Sequence, residues 1–276
     1  MKLAEKLTLD EERALYGVRN TKIKDCIFDG PADGESALKE CRNISVEGCT
    51  FALRYPLWHV TGAEIVNSKM KDSCRAPLWY SKKLDIRNAE IDGVKALREC
   101  RNVFVSSSKI SSQEFGWMCK GIWVKDTSLE AEYPFFQSRD IALDNFSLKG
   151  KYSFQYVKNV TVKNSKLDTK DAFWHAKNVT VYDSVIKGEY LGWYSENLHL
   201  IRCRIEGTQP LCYAKGLVLE DCEMTGCDLS FERSCVNATV IGNIESIKNP
   251  LSGKISADSY GEIILDGDVK SSCVIK

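Results

Sequence analysis

Two series of residues that could do chemistry run side by side through this chain. One is Glu40, His59, Tyr80, Glu99, Met118, Gln137, Tyr156, His175, Tyr194 and Tyr213. The other, one residue earlier each time, is Lys39, Trp58, Trp79, Arg98, Trp117, Phe136, Gln155, Trp174, Trp193 and Cys212, and it holds five of the six tryptophans. Flat indole faces at regular spacing suit stacking on sugar rings, with the polar series holding hydroxyls. Carboxylates, an imidazole and arginines near one another suit acid–base work on a glycoside or uronide. These types are densest early, around an insertion, Phe28-Asp-Gly-Pro-Ala-Asp-Gly-Glu-Ser36, that supplies Asp29 and Asp33. Candidate catalytic residues are therefore Glu40, His59 and Glu99. Candidate ligand-binding residues are Trp58, Trp79, Arg98, Trp117, Tyr156, Trp174, His175, Trp193, Tyr194, Tyr213, Arg54, Arg75, Asp29 and Asp33. Plainer readings stand beside these. The tryptophans would fill a wide corner of the core, with Lys39 and Arg98 reaching a neighbouring glutamate. The insertion would be two turns with solvated acids.

The elements that position these residues come from a repeat. Val105, Val124, Leu143, Val162, Val181, Leu200 and Leu219 lie nineteen residues apart, with looser copies at Ile23, Val46, Ile65, Ile86 and Val240. A sustained period of this size means one small unit stacked on itself. Counting from each reference residue, positions −2 and +5 are also apolar (Val160 and Leu167 around Val162) and position −1 is mostly polar, the alternation of a strand. Positions −3 and +2 collect Asn, Asp and Gly, such as Asn159 and Asn164, and predict sharp left-handed bends. A third bend is expected at +7, where Gly93, Gly150, Gly188, Gly207 and Gly226 recur. At −8 the series Leu38, Leu57, Leu78, Leu97, Gly116, Phe135, Phe154, Phe173, Gly192, Leu211 has no polar member and is placed inside. The tryptophan series beside it, which includes Lys39, Arg98 and Gln155, is placed outside or at a corner.

Short strands between tight bends predict an all-β fold, a single-stranded right-handed parallel β-helix with about eleven to twelve coils; a leucine-rich-repeat-like solenoid is the alternative. One domain is expected over 1–276, with an N-terminal cap at 1–17, coils over 18–248 and a C-terminal cap from 249 to 276. Within the first cap, Asp10-Glu-Glu-Arg-Ala-Leu-Tyr16 reads as a short helix with Asp10 as its N-cap.

Composition narrows the partners. The chain carries 38 acidic and 38 basic residues, so net charge implies no polyanion, and nucleic acid is not expected. No apolar run approaches the roughly 18 residues of a membrane span, and the first residues lack a signal-peptide core. Twelve cysteines fall mostly in two columns shared with serine and alanine (Cys26, Cys49, Cys203, Cys222; Cys41, Cys100, Cys119, Cys235), so they read as small buried side chains. A cytoplasmic location follows from that usage. No zinc spacing or cofactor motif is present, so no metal and no cofactor are expected. The expected partner is a carbohydrate, with a homodimer through the aromatic face as the alternative.

Several stretches resemble a bacterial family known as domain of unknown function 3737, within the pectin-lyase-like β-helix group. They are Asp10-Glu-Glu-Arg-Ala-Leu-Tyr16, Phe28-Asp-Gly-Pro-Ala-Asp-Gly-Glu-Ser-Ala-Leu38, Leu53-Arg-Tyr-Pro-Leu-Trp-His59, Lys170-Asp-Ala-Phe-Trp-His175, Gly188-Glu-Tyr-Leu-Gly-Trp-Tyr194 and Gly207-Thr-Gln-Pro-Leu-Cys-Tyr213. The resemblance spans essentially the whole chain. It implies a right-handed β-helix and carries no catalytic residues across. The acidic clusters of polysaccharide lyases and hydrolases in the wider group have no counterpart here.

Overall fold

A computed structural model describes residues 1–276. The chain divides into two compact units, Met1–Arg139 and Asp140–Lys276. Each is a parallel β-solenoid with about 19 residues per turn, and the two together hold about 14 turns.

Every turn of the first unit repeats three sides. A broad strand carries the reference residue: Arg19–Lys24, Arg42–Glu47, Thr61–Val66, Lys82–Arg87 and Arg101–Ser106. These pair in parallel with Ile23, Val46, Ile65, Ile86 and Val105 in register. A left-handed residue at +2 (Asp25, Asn67, Asn88) then turns the chain into a narrow strand such as Thr50–Phe51 or Glu90–Asp92. The expected −2, 0 and +5 positions are buried throughout, and Phe28 stacks on Phe51 at 4.6 Å. Each such side chain withdrawn from water contributes about 1.5–3 kcal/mol, which is what drives coil to stack on coil. The second unit repeats this with Lys158–Lys163, Lys177–Tyr182 and Glu196–Ile201 as broad strands and Lys166–Lys170, Val185–Lys187 and Arg204–Glu206 as narrow ones.

The third side is not a strand. Positions −8 and −6 are left-handed in coil after coil, and in some coils −10 is as well: Tyr55, Leu57 and His59 (φ 59°, 60°, 56°), or Asp171, Phe173 and His175 (52°, 63°, 50°). Their amides still bond between coils, in alternating directions. Leu57 N donates to Ala37 O of the preceding turn and His59 N to Trp79 O of the following one, both at 2.9 Å. This zigzag turns residue −8 inward and residues −7 and −6 outward. The adjacent apolar columns noted in the sequence are thereby separated.

Two columns of small residues flank this side and the +2 bend. Buried amides there need acceptors, and the side chain one coil on provides them. Cys49 N donates to Ser68 Oγ (3.1 Å), Cys119 N to Ser138 Oγ (2.8 Å) and Cys100 N to Cys119 Sγ (3.3 Å). All twelve cysteines are free and ten are buried, as their columns imply.

The near absence of helix, a single 3-10 turn at Asp72–Cys74, sets aside the leucine-rich alternative. It also corrects the N-terminal helix. Residues 11–17 form the third side of the first turn, with Arg13 and Leu15 left-handed (φ 55° and 53°). Asp10 is not a helix cap, because its Oδ2 accepts from Ala32 N at 3.0 Å in the next turn. Coil pairing already starts at Lys2–Glu5, against Thr21–Lys24. It continues to Val274–Ile275, against Lys254–Ile255.

Candidate functional site

The left-handed zigzag decides what the tryptophan series does. Its side chains project outward and lie half-buried, flat against one another along the stack. In the first unit Trp58 and Trp79 are parallel within 4° at 5.1 Å. Arg98 takes the next rung: its guanidinium carbon sits 5.0 Å from the Trp79 ring centre and 5.5 Å from that of Trp117. A planar cation can replace an indole in such a file, which explains how arginine shares this column. The indole N–H groups are used internally, Trp58 on Ala76 O, Trp79 on Lys95 O and Trp117 on Tyr133 O, each at 2.6 Å. In the second unit Trp174 and Trp193 stack at 5.9 Å, and Trp193 donates to Gln209 O at 2.8 Å. Trp174 Nε1 is buried without a partner.

This geometry corrects one expectation. Ring faces in the file cover each other, so the indoles do not offer flat platforms to sugars. What reaches solvent is the series at −6. In the second unit Tyr156, His175, Tyr194 and Tyr213 form a continuous parallel ladder with centroid spacings of 5.0, 5.0 and 4.9 Å. Tyr156 and Tyr194 are 46% and 42% exposed, and only ring edges point outward. A row of phenol oxygens and an imidazole nitrogen, one per coil, is a file of hydrogen-bonding groups at fixed pitch. Burial and the nearby Glu232 carboxylate raise the Tyr213 phenol above its usual pKa, so it remains a donor at neutral pH.

In the first unit the same series runs Glu40, His59, Tyr80, Glu99. His59 stacks on Tyr80 at 4.9 Å, and Tyr16 Oη donates to Glu40 Oε2 at 2.7 Å. Glu40 and His59 line one concavity of about 540 Å³ with Tyr16, Gly17, Arg19 and Arg42. Glu99 lies outside it, beside Arg98 at 3.8 Å. Three coils separate Glu40 from Glu99, about 14 Å along the stack at the spacing of adjacent strands. Glycosidase carboxylate pairs stand roughly 5–9.5 Å apart, so these two do not form such a pair.

The insertion is drawn together by ion pairs on its own surface. Arg54 contacts Asp33 at 3.1 Å and Glu35 at 3.4 Å, and Lys71 contacts Asp29 at 3.5 Å. Arg75, left-handed at φ 55°, ends the 3-10 turn and is exposed. None of Asp29, Asp33, Arg54 or Arg75 lines the concavity with Glu40 and His59.

The residues that sequence reasoning missed are Arg19 and Arg42. They stand at position −4, directly paired between turns. A usable signal was present: position −4 reads Arg19, Arg42, Thr61, Lys82, Arg101, Lys120 and Arg139 through this unit. A net charge of zero hid it.

A family model described as "Protein of unknown function (DUF3737)" matches residues 2–276. The chain belongs to that family. No curated protein matches its sequence. Among solved structures it is similar to a tailspike mutant of Escherichia coli bacteriophage HK620 in complex with a hexasaccharide, at 9% identity and TM-score 0.42. That match covers 90% of this chain, which spans 60% of the tailspike chain. The A-module of the Azotobacter vinelandii mannuronan C-5 epimerase AlgE4 matches at 8% identity and TM-score 0.34, over 99% of this chain and 87% of that one. QnrB1, a plasmid-mediated fluoroquinolone resistance protein, matches at 13% identity and TM-score 0.21, over 86% and 91%. No helix is long and apolar enough to cross a membrane.

Proposed function

We propose that the protein binds a carbohydrate chain laid along the −6 series, with ring edges rather than ring faces making the contacts. The observation that carries this is the ladder Tyr156, His175, Tyr194 and Tyr213, exposed at its first three rings and half-buried at Tyr213, which repeats a polar group about every 5 Å. A polymer of sugars repeats its hydroxyls along an extended chain, so a rigid file of donors and acceptors meets equivalent groups at successive units. Rigidity matters here: the inner rings His175 and Tyr194 are held on both faces by their neighbours, and little of their side-chain entropy remains to be lost on binding. The separation of Glu40 from Glu99 supports binding over two-carboxylate hydrolysis.

The test is calorimetric titration against a panel of neutral and acidic oligosaccharides. The reading expects at least one class to bind, with Tyr194→Ala and Tyr213→Ala each weakening it about fivefold or more while Trp123→Ala, on a different side, leaves it unchanged. A panel in which nothing binds would refute it, and so would binding indifferent to the two tyrosine variants.

A further inference from the structure

Surface charge in the first unit is otherwise well neutralised between coils. Lys22 pairs with Glu47 at 2.6 Å, Lys69 with Glu90 at 2.6 Å, Arg87 with Glu64 at 3.5 Å and Lys95 with Glu114 at 3.4 Å. One column departs from this pattern. Position −4 places Arg19 opposite Arg42, then Thr61, then Lys82, Arg101 and Lys120, each in direct register with the next. All five cations are exposed, and none forms a salt bridge. Like charges directly opposite on neighbouring strands are unfavourable. The repeat therefore stacks like charges here, whereas the outward columns at −1, +1 and +4 mix signs.

The row lies next to the −6 series. Arg19 and Arg42 line the concavity together with Tyr16, Gly17, Glu40 and His59. Neither acid of the −6 series forms an ion pair with the row: Glu40 accepts from Tyr16, and Glu99 lies beside Arg98.

We infer that the first unit takes an anionic polysaccharide, its carboxylates on Arg19, Arg42, Lys82, Arg101 and Lys120 and its hydroxyls on the −6 series. The inference rests on the glycan-binding reading and adds to it a charge requirement. Nucleic acid is the less suitable polyanion, because single strands bind through base stacking on aromatic faces and here those faces cover one another. A linear chain with one carboxylate per sugar needs only cations at coil spacing and ring edges beside them.

The experiment compares a hexameric oligouronate, a neutral hexaose of the same length and a thymidine oligonucleotide on the full chain. The oligouronate is expected to bind tighter than the neutral hexaose, and to weaken as salt is raised. The triple variant Arg42→Gln, Arg101→Gln, Lys120→Gln should lose about tenfold or more for the oligouronate. It should change neutral binding less than twofold, with a melting temperature equal to or above that of the unchanged protein, since the variant relieves like-charge contacts. Neutral binding equal to or tighter than uronate binding would overturn the charge requirement while leaving glycan binding standing. Preference for the oligonucleotide would replace the ligand class, and silence with every sugar would remove both proposals.

Discussion

At the scale of single residues, small differences within a repeated column give sharp comparisons. Trp193 and Trp174 occupy equivalent, half-buried, stacked positions, yet Trp193 donates to Gln209 O and Trp174 Nε1 has no partner. Replacing either with Phe removes similar area, so the difference isolates one hydrogen bond. Trp193→Phe is expected to cost about 1 kcal/mol more than Trp174→Phe in urea unfolding; equal costs would contradict the assignment. The Ser/Cys rungs make a second comparison. Ser138→Ala orphans the Cys119 amide and should cost about 1–3 kcal/mol, while Ser138→Cys, which keeps an acceptor, should recover part of it. Burial pushes the thiol of Cys41 up to about 11 and those of Cys74, Cys212 and Cys227 up to about 12. At pH 8 those four carry thiolate in about one molecule per thousand or fewer. Iodoacetamide with mass mapping should therefore label Cys235 and Cys273, the two that are not fully buried, well before them.

At the scale of the element, the strands and their bends were legible because each rests on local chemistry repeated many times. Apolar alternation marks the broad strand, and Asn, Asp and Gly mark the left-handed residues at −3 and +2. The third side was harder to read. It is left-handed at Leu57 and His59, residue types that carry no turn signal of their own, and stacking between coils imposes the conformation. Its trace in the sequence is an absence: neither −8 nor −6 holds a Val, Ile or Thr, the side chains least able to adopt positive φ. The N-terminal helix failed for the same reason, since Asp10–Tyr16 has helical composition but belongs to this zigzag. A direct check is His59, where Val and Asn both lose the stack on Tyr80, so the difference between the two variants reports the backbone. His59→Val should lose about 1–2 kcal/mol and His59→Asn less than half as much. Of the candidate site, the outward tryptophan series was readable from Lys39, Arg98 and Gln155 within it. That the rings would close on each other was not, because composition says nothing about ring orientation. Arg19 and Arg42 were overlooked for another reason: charge had been counted over the chain and not down a column.

At the scale of the whole molecule, a solenoid turns sequence columns into surface files, and in the first unit one pair of files is the proposed binding face. The −6 file supplies ring edges and the −4 file supplies charge. Exposed apolar residues of the second unit provide an internal control, for Ile241 and Leu265 are 54% and 59% exposed. The most direct measurement is hydroxyl-radical footprinting of the full chain with and without saturating oligouronate. Protection is predicted at His59 and Tyr80, the stacked first-unit rings of the −6 file, with oxidation of Ile241 and Leu265 unchanged. Protection confined to Ile241 and Leu265, or none along the −6 file while binding is intact, would contradict it.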